Sequence, residues 1–188
     1  MNQRKPISTK KIVLVALLAA LTVVGSGIRI KVPAGITGTS AFHLGNILCA
    51  LSGILLGSWW GGLAAGLGSA IYDMFDPMYV AECWLTFLMK GAYGVAAGLV
   101  AHSGKQAWNY GKAALASAAG AVTYALLYLG KTYFKGILVR GLAPAAALLG
   151  TAEKLPATVF NAVVAVLFAP LLAVAIRTGL KKNHLSLE

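Results

Sequence analysis

Residues 32–72 run for 41 positions without one Asp, Glu, Lys or Arg. A membrane helix needs about 20 apolar residues, so the stretch is too long for one crossing and long enough for two. A soluble domain of this size does not leave a fifth of its length uncharged. The same stretch carries the most distinctive words in the chain, Phe42-His43-Leu44-Gly45-Asn46 and Gly57-Ser58-Trp59-Trp60-Gly61-Gly62. The whole chain is 59% apolar and 11% charged, against about 25% charged in a soluble average. Backbone polar groups inside a bilayer must be satisfied internally, which leaves helices or closed barrels. The apolar runs are continuous rather than alternating, so the expected fold is an all-α integral membrane protein, a single membrane domain over residues 1–188.

Six crossings are expected, at about 12–28, 42–57, 61–74, 80–101, 112–132 and 155–176. The second and third are hinged at Trp59-Trp60, and the fourth begins after the Asp76-Pro77 break. Pro156 suits the start of the sixth helix, where a missing N–H costs nothing. Segment 133–154 is open to three readings: loop, short helix or re-entrant piece. Lys10-Lys11 followed by 17 charge-free residues resembles a secretion signal with Gly25-Ser26-Gly27 as its cleavage site. Signal cores are shorter and further crossings follow, so a retained helix is expected.

Charge sets the topology. With a cytoplasmic N-terminus, the inner loops hold Arg4, Lys5, Lys10, Lys11, Lys105, Lys112, Arg177, Lys181 and Lys182. The outer side then holds Arg29, Lys31, Lys131, Lys135, Arg140 and Lys154, with Lys90 inside a helix. That is a positive-inside bias, and it places both termini in the cytoplasm. Asp73, Asp76, Glu82 and Glu153 fall outside, Glu188 inside. The outer end is therefore mixed in charge and rich in aromatic residues, as a polar-ligand site would be. The net charge of +11 does not signal nucleic acid, because the basic residues punctuate apolar segments and form no amphipathic face.

Glycines at spacing four (Gly53, Gly57 and Gly61; Gly62 and Gly66; Gly94 and Gly98) let helix backbones approach in lipid. Internal packing is the simpler reading, contact with another subunit the second. The first helix carries a separate seam of small residues, Ala16 and Ala20 with Ala19 beside them.

Catalytic and nucleotide signatures are missing. Gly130-Lys131-Thr132 ends like a phosphate loop, but the glycine required five residues before Gly130 is Ala125, and Gly104-Lys105 fails likewise at Leu99. There is no Ser/His/Asp set and no HExxH. Cys49 and Cys83 lack CxxC or His spacing and read as small buried thiols, so no metal and no cofactor is expected. His102 and His184 read as solvated. Ionisable groups within membrane segments mark function by default, and His43, Asp73, Glu82 and Lys90 qualify. Glu82 and Lys90 lie eight residues apart, nearly on one helical face. They either pair within the bundle or line a pocket, with Lys90 leaning to the structural role. His43 and Asn46, three apart on the second helix, share a face. Tyr79, Trp84, Thr123, Tyr124, Tyr128, Lys131 and Asn161 add rings, donors and acceptors suited to a small polar or aromatic metabolite.

The order of these pieces resembles a known family. The first helix bears Ala16-x-x-x-Ala20, and a loop leads to Phe42-His43-Leu44-Gly45-Asn46. Next come Leu55-Leu56-Gly57-x-x-x-Gly61-Gly62-x-x-x-Gly66-x-Gly68, Asp73 and Asp76-Pro77, and then Trp84-x-Thr86-Phe87-x-x-Lys90-Gly91. This is similar to the substrate-binding (S) component of an energy-coupling factor (ECF) vitamin transporter, over about residues 10–176. The resemblance implies a six-helix bundle in a prokaryotic plasma membrane that captures one water-soluble vitamin at its outer end. The expected binding set is His43, Asn46, Asp73, Tyr79, Glu82, Trp84, Tyr128, Lys131 and Asn161. A lid loop would carry Arg29, Lys31, Gly35 and Gly38. Ala16 and Ala20 would contact a membrane coupling (T) subunit carrying two ATP-binding-cassette ATPase subunits. The wording leans to cobalamin or another corrinoid, with pantothenate or a folate-like anion as alternatives. A stand-alone secondary transporter of a small polar metabolite is the competing class; it would need a continuous polar path or an inverted repeat, and neither is evident.

Overall fold

A computed structural model describes residues 8–36, 38–104 and 109–183. Arg4, Lys5, Lys105 and Glu188, used in the charge count, and His184, read as solvated, lie outside the described residues. The order is α1 (Thr9–Gly27), β1 (Arg29–Ala34), β2 (Gly38–His43), α2 (Gly45–Leu56) and α3 (Ser58–Met74). After a 3-10 turn (Val80–Glu82) come α4 (Cys83–Ala101), α5 (Tyr110–Leu138), α6 (Pro144–Ala152) and α7 (Leu155–Lys182).

Each expected crossing has a helix at its place. By length and composition, four segments are apolar enough to span: Thr9–Gly27, Val80–Ala101, Tyr110–Leu138 and Pro144–Lys182. The fifth helix runs six residues past its expected end, to Leu138. Segment 133–154 is therefore the tail of α5 followed by the short helix α6, which starts at Pro144.

Helix α2 is short, 12 residues, and most of it is buried. Helices α1, α3, α4, α5 and α7 all pack against it. Apolar side chains gain little by meeting each other in lipid, so close backbone approach carries the packing. A Cβ at Gly61 of α3 would stand 2.5 Å from Gly53 Cα of α2. One at Gly94 of α4 would stand 2.7 Å from the Gly61 carbonyl oxygen, and one at Gly62 2.6 Å from the Val95 side chain. The glycine series is thus spent inside the bundle, where α2, α3 and α4 touch. The break between α2 and α3 falls at Gly57, whose φ of 81° favours glycine, and not at the Trp pair. Cys49 is buried and Cys83 half-buried, both as free thiols.

The all-α expectation needs one correction. Residues 29–43 form an antiparallel hairpin, with Arg29 opposite His43 and Ala34 opposite Gly38. His43 therefore ends a strand, and it does not share a helix face with Asn46 on α2. The hairpin lies where α1, α3 and α5 end and α2, α4 and α7 begin. At the opposite end, His102 closes α4 with its Nδ1 3.1 Å from the Gly98 carbonyl, and the Arg177 guanidinium donates to the Ile54 carbonyl at 3.3 Å.

Candidate functional site

A cavity of about 730 Å3, including its open mouth, sits beneath the hairpin. Five helices and the hairpin line it. Ser26 comes from the end of α1, Asp73 from the end of α3, Glu82 from the 3-10 turn that leads into α4, Thr86 and Lys90 from α4, Tyr124, Tyr128 and Lys131 from α5, and Asn161 from α7; Arg29 and His43 come from the two strands. Residues four apart on a helix stack on one face, so Glu82, Thr86 and Lys90 form one polar row and Tyr124 and Tyr128 another.

The two rows interlock. Lys90, 4% exposed, donates to the Asn46 side-chain oxygen, and its ammonium stands 3.9 Å from the Tyr124 ring centroid. A carbonyl oxygen and a ring face are both partners for a buried cation. Tyr124 stacks on Tyr128 at 5.6 Å and 15°, and Tyr93 tilts against Tyr124 at 6.1 Å. Glu82 joins α4 to α5, accepting from Lys131 at 2.7 Å and from Lys135. The Nδ1 atom of His43 is buried without a hydrogen-bond partner among the described residues. Buried polar atoms are nearly always satisfied, so a ligand atom or a water is its natural partner.

The hairpin is held at both ends. At its base, Arg29 lies 3.8 Å from Asp73 and 3.7 Å from Asp76, stacks 4.0 Å over the Tyr72 ring, and donates to the Ser26 carbonyl at 2.7 Å. Lys31 adds a 2.7 Å ion pair to Asp76. Burial opposes ionisation of Asp76, but hydrogen bonds from Lys31 and the Met78 N–H, with the Arg29 charge, outweigh it and hold the carboxyl below its ordinary range. The hydrogen bond to Asp76 raises the Lys31 amine above its ordinary range. Burial raises the Tyr79 phenol, so it stays neutral.

Along β2, groups facing away from β1 would be an open sheet edge. Helix α7 fills it. Asn161 donates to the Ala41 carbonyl at 2.8 Å and accepts from the His43 N–H at 2.9 Å. Lys154 donates to the Thr39 carbonyl, and Phe42 meets Phe160 edge-on at 5.1 Å. At the turn, Arg140 donates to the Ile36 carbonyl at 3.1 Å and Glu153 accepts from its N–H at 3.0 Å.

Of the expected binding set, His43, Asp73, Tyr79, Glu82, Tyr128, Lys131 and Asn161 line this cavity. Asn46 stands behind it, on Lys90. Trp84 is the clear miss. It is 59% exposed, because its position on α4 points away from the Glu82 row. In the expected lid, Arg29 lines the cavity, while Lys31 reaches Asp76, and a Cβ at Gly35 would stand 3.5 Å from the Glu153 carboxyl. Gly38, at φ 91°, shapes the turn. Thr123 is satisfied within its own helix by the Ala119 carbonyl. Sequence reasoning missed Ser26, Ser40, Ser69, Thr86 and Thr158 among the lining groups. Spacing held the signal for three of them: Ser69 is four before Asp73, Thr86 four after Glu82, and Thr158 three before Asn161.

The seam on α1 divides. Ala16 and Ala20 are exposed, whereas Ala19 is buried, its carbonyl facing Gly68 of α3. Among the described residues no group of three His, Cys, Asp or Glu could hold a metal.

A helical membrane protein with a polar, tyrosine-lined cavity closed by a clasped hairpin belongs to the solute-capturing class. The family described as ECF-type riboflavin transporter, S component, matches residues 6–178, and the chain belongs to that family. It is therefore membrane-integral. Family membership makes it a transporter S component, a class that works with membrane coupling and ATPase subunits. A protein of Pyrococcus woesei described as "Uncharacterized protein in gap 3'region" is 32% identical over 114 residues, covering 61% of this chain and 72% of that protein. No solved structure matches the chain significantly.

Proposed function

We propose that this chain is a six-helix S component with both termini cytoplasmic, and that it captures one small, flat, water-soluble vitamin in the cavity beneath the hairpin. The carrying observation is the convergence of Glu82, Lys90, Tyr124, Tyr128 and Asn161, from three helices distant in sequence, on one hairpin-covered space. Stacked tyrosines offer ring faces to a planar heterocycle, where offset contact adds to area burial. The amide of Asn161, the imidazole of His43 and the ion pair of Glu82 supply donors and acceptors around its rim.

The family match lends cobalamin no support. Riboflavin, the vitamin in the family description, is the first candidate; pantothenate and a folate-like anion follow. The hairpin would act as the lid. The exposed face of α1 around Ala16 and Ala20 would meet the coupling subunit, which with two ATP-binding-cassette subunits would drive release inward.

A thermal-shift panel of vitamins on the detergent-purified chain tests this, because a ligand that binds only the folded state raises its apparent stability. Riboflavin is expected to give the largest upward shift. A shift with cobalamin and none with riboflavin would reverse the substrate assignment, and no shift with any vitamin would remove the reading.

A further inference from the structure

Three Lys or Arg side chains line the hairpin-covered cavity. Arg29 pairs with Asp73 and Asp76, and Lys131 pairs with Glu82 at the side where a second cavity adjoins the first. Lys90 differs. Among the described residues no carboxylate lies within ion-pair distance of it, and Asp73 acts on it from farther off. It is buried and lies eight residues beyond Glu82, about 12 Å along the helix at 1.5 Å per residue. An ammonium carries three donors and no acceptor. Asn46 takes one of them, and the Tyr124 ring face lies against the charge. The cavity also holds the unpartnered Nδ1 of His43. Taking a cation out of water is costly unless acceptors complete it.

We propose that Lys90 is a specificity-determining residue: it donates to a ring carbonyl oxygen of the vitamin, so that the site takes rings bearing carbonyls and rejects cationic ones. The inference rests on this cavity holding the vitamin. A carbonyl oxygen accepts from the ammonium without the desolvation cost of a second charge, and a charge-assisted hydrogen bond of this kind is a strong one. A pyrimidine-dione edge alternates C=O, N–H and C=O. One carbonyl satisfies Lys90, and a neighbouring group is left for the His43 imidazole, whose nitrogen donates or accepts according to its tautomer. A cationic ring would meet Lys90 as like charge in a desolvated space, with no carboxylate beside the ammonium to offset it.

Riboflavin, its 2-thio and 4-thio analogues, thiamine, pyridoxine and pantothenate would be titrated into the purified chain. Sulfur in place of oxygen keeps the ring and weakens the acceptor. Riboflavin is expected to bind about tenfold tighter than one of the two thio analogues, a difference of about 1.4 kcal/mol, and thiamine is expected not to bind. The riboflavin-to-thio ratio is expected to fall at least about threefold in Lys90→Met. Asn46→Asp, nearly isosteric and outside the cavity lining, gives the ammonium a carboxylate from behind, and the ratio is expected to fall there too. The ratio is read within each variant, so a general loosening of the bundle cancels, and Asn46→Asp serves if Lys90→Met does not fold. Riboflavin binding that ignores both sulfur substitutions, or a ratio unchanged in the variants, overturns the role of Lys90 and leaves the vitamin reading standing. Binding of thiamine, pyridoxine or pantothenate in place of riboflavin does the same. If nothing in the panel binds, the vitamin reading itself fails and takes the role of Lys90 with it.

Discussion

Asn161 does with one amide what a third strand would do. It donates to one outward backbone group of β2 and accepts from another, so a single side chain on α7 fixes the hairpin over the cavity. Asn161→Ala forfeits two hydrogen bonds, each worth about 1 kcal/mol net. Vitamin affinity is expected to fall about tenfold or more by titration, with the helices still folded. Lys90 depends on its neighbour in another way. Asn46→Leu removes the acceptor and leaves a buried ammonium short of a partner, at a cost of about 1–3 kcal/mol or more, read as a lower melting temperature in detergent. The clasp of Lys31 on Asp76 gives a pH dependence. Asp76 is lowered in the folded state, so its contribution is present above the unfolded carboxyl value near 3.9 and disappears as pH falls through the folded one. Lys31 is raised, so its contribution is present below about 10.4 and is lost as pH rises through the folded value. Thermal stability is thus expected to drop on acidification below about pH 4, and Asp76→Asn, already weaker at neutral pH, is expected to drop less. An identical acid limb in both proteins would remove Asp76 from the clasp. Much of this site was legible as residue types on apolar helices. Trp84 misled because aromatic character alone does not say which way a helical position points; the row of Glu82, Thr86 and Lys90 does.

Helices were legible wherever the apolar runs were long, and their ends were not. α5 was expected to end at Thr132. Here Lys131 and Lys135 turn to Glu82, and the helix runs on to Leu138. The hairpin was hidden for a different reason. Pro33, Gly35 and Gly38 read locally as a loop, and much of what stabilises β2 comes from Lys154, Phe160 and Asn161, more than a hundred residues away. The glycine contacts give the sharpest element-level expectation. Gly94→Ala pushes a methyl group against backbone of α3 that cannot give as a flexible side chain would. Overpacking of this kind costs about 1–3 kcal/mol. Gly130→Ala faces open space and gains helix propensity of up to about 1 kcal/mol. Melting curves of the two variants are expected to shift in opposite directions.

At the scale of the molecule, two surfaces divide the labour. The hairpin end gathers polar and charged side chains into two adjoining cavities, while the α1 face around Ala16 and Ala20 is exposed and unbroken by charge. If that face meets a coupling subunit, Ala16→Trp or Ala20→Trp is expected to leave vitamin binding by the purified chain within about twofold, and to reduce cellular uptake by at least about tenfold. Loss of binding in these variants would tie α1 to the cavity instead. Capture and energisation then reside in different proteins, and the chain alone must bind its cargo. The direct test is a titration of the purified chain, without partner subunits, with the vitamin that stabilises it most. Saturable one-to-one binding that Asn161→Ala weakens about tenfold or more is the expected result. Binding that appears only when the coupling and ATPase subunits are present, or that ignores Asn161, would contradict capture beneath the hairpin.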